Sequence, residues 1–193
     1  MIFFMINDMT DNSLKVKAPV YDVPAEGYDE LYGVEQLEKY EAVFGELGEA
    51  VKELKVVLDI GCATGLLGEY LRFIGFDGVY VGVDLLKERL TAAKMKAGSS
   101  WMLIQADAEH LPLRDDCVDL AASVTVIHLL DVEKALEEAL RASKKFTVVT
   151  VLKKRLDLEP EIMKYLISRR GLSVKKLSLP KIKDEILIVA GEF

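Results

Sequence analysis

Short apolar runs recur along this chain, and each of the first three is closed by an acidic residue. Val56 to Ile60 carries Asp59 and runs into Gly61, Val79 to Val83 is closed by Asp84, and Trp101 to Gln105 is followed by Asp107. Between them lie stretches with helical spacing. Leu66, Leu67, Tyr70, Leu71 and Ile74 mark one helix that stops near Gly75, and Lys87 to Ala97 forms another that stops at Gly98. A short run that is apolar throughout and bounded by turn residues reads as a strand covered on both faces. Strands that alternate with helices long enough to cross over build a parallel sheet with helices on either side.

The alternation continues with a strand over Val118 to Thr125 and a helix over Val132 to Ala142, acidic at its start and basic at its end as the helix dipole favours. A strand over Phe146 to Leu152 follows, then a helix from Glu159 to Arg170, opened near Pro160 and ended by Gly171. The pattern then breaks. Leu172 to Leu179 and Glu185 to Ala190 both read as strands, and only the loop "PKIKD" separates them, too short for a helical crossover. They therefore pair as an antiparallel hairpin. The fold class is α/β, a doubly wound, mostly parallel seven-stranded sheet with an antiparallel C-terminal hairpin strand. Ahead of the sheet, Tyr28 to Leu54 has the spacing of one or two amphipathic helices. Met1 to Lys17 reads as a poorly ordered tail in which Met5 and Met9 are alternative starts, and residues 18–193 as one domain, a size that suits a single core.

Charge narrows the kind of partner. The chain carries a net −7, but 26 acidic residues face 12 basic ones up to Leu140, whereas Arg141 to Lys183 holds 13 basic residues and 3 acidic ones. Lys153 and Lys154, together with Arg155, follow the fifth strand, and Lys181 and Lys183 lie in the hairpin turn, so five positive charges are expected on the edge where parallel strands end. No apolar run approaches the length of a membrane span. Cys62 and Cys117 are too few for a disulfide scaffold and lack metal-ligand spacing, which points to a cytoplasmic protein with reduced thiols and no metal. The scarcity of Asn and Gln beside abundant Lys and Glu is the balance of proteins from hot environments.

In such sheets ligands bind outside the carboxyl ends of the strands, where Asp59, Asp84 and Asp107 fall. The segment "VVLDIGCATGLLGEYL", Val56 to Leu71, resembles a dinucleotide loop but departs from G-x-G-x-x-G, because Ala63 takes the second glycine's place. Asp59 beside that loop would repel a pyrophosphate and suits a cationic ligand. Asp84 suits a vicinal diol, and Asp107 an adenine amino group.

These segments resemble the class I S-adenosylmethionine-dependent methyltransferases, in the form of the ubiquinone-biosynthesis-like branch. The resemblance runs from about Tyr28 to the C-terminus. "VVLDIGCATGLLGEYL" is similar to the family's first motif, "VGVDLLKERL" to its second, and "IQADAEHLPLRDDCVDLAASVTVIHLL" to the next two. The resemblance implies a Rossmann-like fold and S-adenosyl-L-methionine as cofactor. Gly61, Cys62, Ala63 and Gly65 would bring backbone against its methionine part, and Asp59 would orient that loop and favour the ammonium and sulfonium charge. Asp84 would bind the ribose, Leu85 would lie against the adenine, Asp107 and Ala108 would meet the adenine edge, and Ser123 would present its carbonyl near the ammonium. Where many relatives carry a double glycine before the fifth strand, this chain has "RASKKFTVV".

A sulfonium carries its own leaving group, so a base is needed only for a protonated nucleophile. His128, just past the fourth strand, is the candidate base, whereas His110 reads as surface. Tyr28, Tyr32 and Tyr40 are placed to form a lid. Lys153, Lys154 and Lys181 are the candidate holders of an anionic acceptor, RNA or a small molecule. The family's amino-methylating enzymes often carry an Asn-Pro-Pro-Tyr-like signature after the fourth strand, and Ser123-Val124-Thr125-Val126 stands there instead. In the family's strand order the third strand is an outer edge, and its apolar load, Trp101 to Ile104, is where some members bind a small activator protein. A nicotinamide-dependent oxidoreductase and a catalytically silent binding protein with this fold are the alternatives.

Overall fold

The computed structural model describes residues 24–191. The tail expected over Met1 to Lys17 lies outside them. Helix α1 spans Ala25–Leu47 and runs into a 3-10 turn at Gly48–Glu53. There follow β1 (Val56–Ile60), α2 (Leu66–Phe73), β2 (Val79–Asp84), α3 (Lys87–Lys96), β3 (Trp101–Gln105) and β4 (Val118–Ser123). Then come α4 (Val132–Ala142), β5 (Ser143–Leu152), α5 (Glu159–Ser168), β6 (Ser173–Ser178) and β7 (Asp184–Ala190). The seven strands lie in the order β3-β2-β1-β4-β5-β7-β6, and β7 is antiparallel to both neighbours while the other pairs are parallel. The expected fold class is thus the observed one.

Two apolar layers sandwich the sheet. On one face α1 packs on α2 and α3, and Tyr40, Val43 and Phe44 of α1 join Leu67, Leu71, Leu120, Val148 and Ile186 in one cluster. On the other face, Leu136 and Leu140 of α4 and Ile162 and Leu166 of α5 cover Val149, Val151 and Leu187. α4 is amphipathic for this reason, with its inner stripe fully buried and Asp131 capping its first turn by accepting from the Lys134 N–H at 3.2 Å.

Two boundaries differ from the sequence reading. β5 starts at Ser143, directly after α4, with no intervening loop, and Ser143 Oγ lies 2.7 Å from Thr147 Oγ1. Lys144 and Lys145 lie outside the strand expected from Phe146, but they fall between the pairs Val118–Ser143 and Leu120–Phe146, where a bulge carries them within the strand. β4 ends at Ser123 rather than Thr125 because Thr125 adopts φ 63°, which takes it out of the ladder. Its N–H donates instead to Thr150 Oγ1 at 2.8 Å.

The outer edge strand β3 is less exposed than its composition suggests. The Trp101 ring turns inward, 4.6 Å from the Tyr80 ring between centroids, and lies over Gly65, just ahead of α2, and Gly68 within it. A Cβ on Gly68 would sit 2.5 Å from Trp101 Cζ2. Met102, on the opposite face, is 47% exposed. Alanine in a helix is ordinarily better than glycine by about 1 kcal/mol, yet here overpacking against the indole opposes it. We expect Gly68→Ala to destabilise the protein by about 1–3 kcal/mol in chemical denaturation. Adding Trp101→Leu should recover part of that loss, and additive effects of the two changes would show that the contact does not carry it.

Candidate active site at the carboxyl ends of the strands

The loop after β1 is shaped by three left-handed residues, Gly61 (φ 75°), Ala63 (φ 46°) and Gly65 (φ 82°). Only glycine adopts this region freely, and for an alanine it costs about 1–2 kcal/mol. The loop is fastened to the end of β2. The Gly61 and Cys62 N–H groups both donate to the Val83 carbonyl, at 2.8 and 2.9 Å. The Ala63 N–H donates to Asp84 Oδ2 at 2.8 Å, and the Leu86 N–H to Asp84 Oδ1 at 2.8 Å. Asp84, rather than Asp59 as expected, therefore orients the loop. Burial pushes the Asp84 carboxyl up, while the Leu86 and Ala63 N–H groups pull it back. Each of its oxygens takes one of these N–H groups, and the side chain lines a cavity.

That cavity is about 810 Å³ and lies over the ends of β1, β2, β4 and β5, a volume within the range of small-molecule sites. Gly61, Ala63, Asp84, Leu85, Asp107 and Ala108 line one end, as the sequence reading places them. Asp107 Oδ1 accepts from the Glu109 N–H at 2.9 Å, and His110, with its ring largely exposed, stands 3.8 Å from the Asp107 carboxylate. Tyr28 and Tyr32 roof the cavity from α1, their rings 4.9 Å apart, and the Arg89 guanidinium lies 4.2 Å over Tyr28. Tyr40 is a core residue packed on Tyr70. At the other end are His128, Lys153, Lys154 and Lys181.

Four sequence-predicted residues lie elsewhere. Gly65 lines neither this cavity nor the recess behind it, and serves the Trp101 contact, where a Cβ would come within 2.7 Å of the ring. Cys62 faces a small recess behind the loop. Ser123 is still paired in the ladder, opposite Val149, so Val124, Thr125 and Val126 form the wall after β4. Asp59 lines the same recess as Cys62, is 4% exposed, and accepts from the Tyr80 hydroxyl at 2.7 Å. Burial raises its pKa to about 7, with Asp84 adding to the rise and the Tyr80 hydrogen bond opposing it.

The structure also gathers residues that sequence reasoning missed. Lys39 and Asp184, both 0% exposed, pair at 3.1 Å. Lys39 Nζ reaches Thr125 Oγ1 at 2.8 Å and Glu35 at 2.9 Å, and Glu35 in turn pairs with Lys183. Gln36 joins through Thr125, and it lines the cavity with Thr125 and Arg89. Arg89 in the first turn of α3 was readable as a polar residue on a helix start facing the strand ends. The Lys39–Asp184 pair had no local signal. The lysine patch is smaller than expected, because Lys183 is paired and Lys153 Nζ donates to the Leu179 carbonyl at 2.8 Å. Among the described residues Lys154 and Lys181 have no ion-pair partner.

His128 Nδ1 is buried without a hydrogen-bond partner. Burial, and after it the Arg155 charge, holds its pKa below the usual histidine value, so the ring is neutral at pH 7. Among the described residues no cluster of His, Cys, Asp and Glu could hold a metal ion, and no helix is long and apolar enough to cross a membrane.

A doubly wound sheet in this strand order, with Asp84 at the end of β2 lining a cavity over the carboxyl ends of the strands, defines a Rossmann-like fold. Residues 58–149 match the methyltransferase domain family. A malonyl-[acyl-carrier protein] O-methyltransferase from Hamiltonella defensa is 39% identical over 75 residues, 39% of this chain and 28% of that protein. The chain thus spans about three tenths of the length of that relative. A SAM-dependent methyltransferase from Aquifex aeolicus shares the fold with a TM-score of 0.68 at 22% identity, over 86% of this chain and 96% of that one. A methyltransferase in complex with the Haloferax volcanii Trm112 methyltransferase activator shares it with a TM-score of 0.64 at 18% identity, over 88% and 96%. Residues 58–149 are thus similar to the methyltransferase domain family, and the fold is the one that S-adenosylmethionine-dependent methyltransferases share.

The raised pKa of Asp59 has a consequence for stability. A carboxyl whose folded pKa lies above its unfolded value binds more protons when folded, so stability falls as pH rises from about 4 to about 7. The full effect is on the order of 4 kcal/mol. Asp59→Asn should flatten the pH dependence of denaturation across that window, and a slope unchanged by the substitution would place the titration elsewhere.

Proposed function

We propose that this chain transfers a methyl group from S-adenosylmethionine, in line, to an anionic small-molecule acceptor. The observation that carries the reading is the polarity of one cavity: acids Asp84 and Asp107 at one end, unpaired Lys154 and Lys181 at the other, and His128 along the wall. Bound there, the cofactor would supply an electrophilic methyl on a sulfonium whose thioether leaves without acid assistance. Asp84 would accept two ribose hydroxyls with the lone pairs left free by Ala63 and Leu86. Leu85 and Ala108 would flank the adenine and Asp107 would meet its edge. Gly61 and Ala63 would bring backbone to the methionine part, and Asp59, once ionised, would favour its positive charge. Tyr28 and Tyr32 would exclude water from above.

At the acceptor end, Leu129, Leu130, Leu152 and Ile182 give apolar walls beneath the lysines. That combination suits a molecule with an apolar body and a carboxylate or phosphate, and the malonyl relative's name likewise points to a carboxylate-bearing acceptor, there carried on a protein. The neutral His128 ring could accept a proton from a hydroxyl or amine nucleophile and is unneeded for a carboxylate one. RNA is the second reading, favoured by the same exposed lysines. The reducing cytoplasm suits free Cys62 and Cys117. The unpaired edge of β3, with Met102 exposed, is where a small activator protein would add, and the structurally similar methyltransferase in the Haloferax volcanii complex is one that binds an activator. A monomer fully active by itself would remove the activator from this reading.

Two measurements test the proposal. Asp84→Ala should weaken S-adenosylmethionine binding more than tenfold by calorimetry, since two charge-assisted hydrogen bonds are lost at about 1.5–3 kcal/mol each. An unchanged affinity in the folded variant would sink the ribose assignment. Charge reversal at Lys153, Lys154 and Lys181 should raise the acceptor's KM and leave cofactor affinity alone, with Lys153 contributing least. For RNA the log–log salt dependence should steepen by about 0.7 per phosphate held, whereas a KM indifferent to both salt and charge reversal would point to a neutral acceptor.

A further inference from the structure

Gln36 is 5% exposed and stands on α1 where the helix borders both the main cavity and the recess behind the glycine loop. Its Nε2 donates to Thr125 Oγ1 at 3.3 Å, while its Oε1 is buried with no hydrogen-bond partner. The neighbours' chemistry fixes which way the amide points. Lys39 Nζ can only donate, and it does so to Thr125 Oγ1 at 2.8 Å. The Asp184 carboxylate can only accept, and it takes the Thr125 hydroxyl proton at 3.1 Å and the Thr150 hydroxyl proton at 2.6 Å. The Thr125 hydroxyl has one proton to give, so toward Gln36 it can only accept. Gln36 must therefore offer it the NH₂ group and turn its carbonyl away.

A buried carbonyl oxygen without a donor is unfavourable, and such atoms call for an explanation. This one is held in place by a network that spans α1, the turn after β4, β5 and β7. It shares its recess with the Asp59 carboxyl and the backbone of Gly61 and Ala63, and no lysine, arginine or histidine lines that recess. Lys39 stands behind Thr125 and does not line the recess, so the acceptor groups of Gln36 and Asp59 there suit a ligand group that is all donor. We infer that Gln36 is a cofactor-binding residue whose Oε1 accepts an N–H from the α-ammonium of the methionine part of S-adenosylmethionine. The inference rests on the cofactor reading above. Lys39, Asp184 and Thr125 are positioning residues that act through the Gln36 amide, which gives the left-handed conformation of Thr125 a purpose (φ 63°).

The test is calorimetry on the native protein and on Gln36→Leu with three ligands: S-adenosylmethionine, S-adenosylhomocysteine and 5′-methylthioadenosine, the last lacking the amino-acid part. In Gln36→Leu the first two should bind roughly ten- to a hundredfold more weakly, the loss of one hydrogen bond to a charged group. 5′-Methylthioadenosine should bind native and variant alike. Gln36→Met serves as a second apolar variant if leucine does not fold, and it should show the same loss. Equal weakening of all three ligands, or no weakening of any, would overturn the assignment. Native protein that binds none of the three would overturn the cofactor reading and this inference with it.

Discussion

The Asp84 carboxylate is the fixed point of this molecule. It sits at the end of β2, accepts the Ala63 N–H from the neighbouring loop, and accepts the Leu86 N–H at the start of α3. One side chain thereby ties together the two strand ends that flank the cavity and the helix that follows. The Val83 carbonyl reinforces the same junction with two further N–H donors. The strained φ of Ala63 is the local cost, and the charge-assisted hydrogen bond it makes offsets it. A loop held this way is preorganised, so its exposed backbone groups need no reordering when a ligand arrives.

The roof over the cavity depends on a different kind of force. α1 is latched at its start by Asp29, which meets Thr64 beside the glycine loop and Lys96 at the end of α3. Farther along, the buried Lys39–Asp184 pair joins it to the far side of the sheet. Removing one partner of such a pair leaves a buried charge and costs about 3–5 kcal/mol. Tyr28 beside the first latch, and Tyr32 and Gln36 between the two, line the cavity. The apolar layer beneath α1 supplies the packing, and the two polar latches fix the angle at which those side chains enter the site.

Sheet position explains how the two ends of the cavity acquired opposite character. β2 and β3 deliver Asp84 and Asp107 at their ends, whereas β5 and the β6–β7 hairpin deliver lysines. The same topology leaves β3 as an edge, and Gly65 and Gly68 take up the indole that would otherwise burden it. The helix that supports the glycine loop therefore also protects the sheet, which couples the two roles in one short element.

By itself the sequence determined the order of strands and helices, because strand and helix periods are local and the segments from Val56 to Ala190 display them clearly. It also determined the hairpin, since a five-residue loop cannot cross over, and the acids at the strand ends, since a parallel strand's carboxyl end is fixed by chain direction. The motifs around Asp59, Asp84 and Asp107 carried the family resemblance as well. The tertiary structure alone decided which of those acids shapes the loop, because Asp84 and Asp59 are equivalent in pattern and differ only in what surrounds them. It alone turned Trp101 inward, lifted Thr125 out of β4 and removed Lys153 and Lys183 from the free lysines. It alone brought Gln36 and Lys39 to Thr125 and Asp184, whose separations along the chain are 89 residues for Gln36 and Thr125 and 86 for Lys39 and Thr125. Contacts at that distance leave no period in the sequence, and hydrogen-bond direction exists only once the partners are in place.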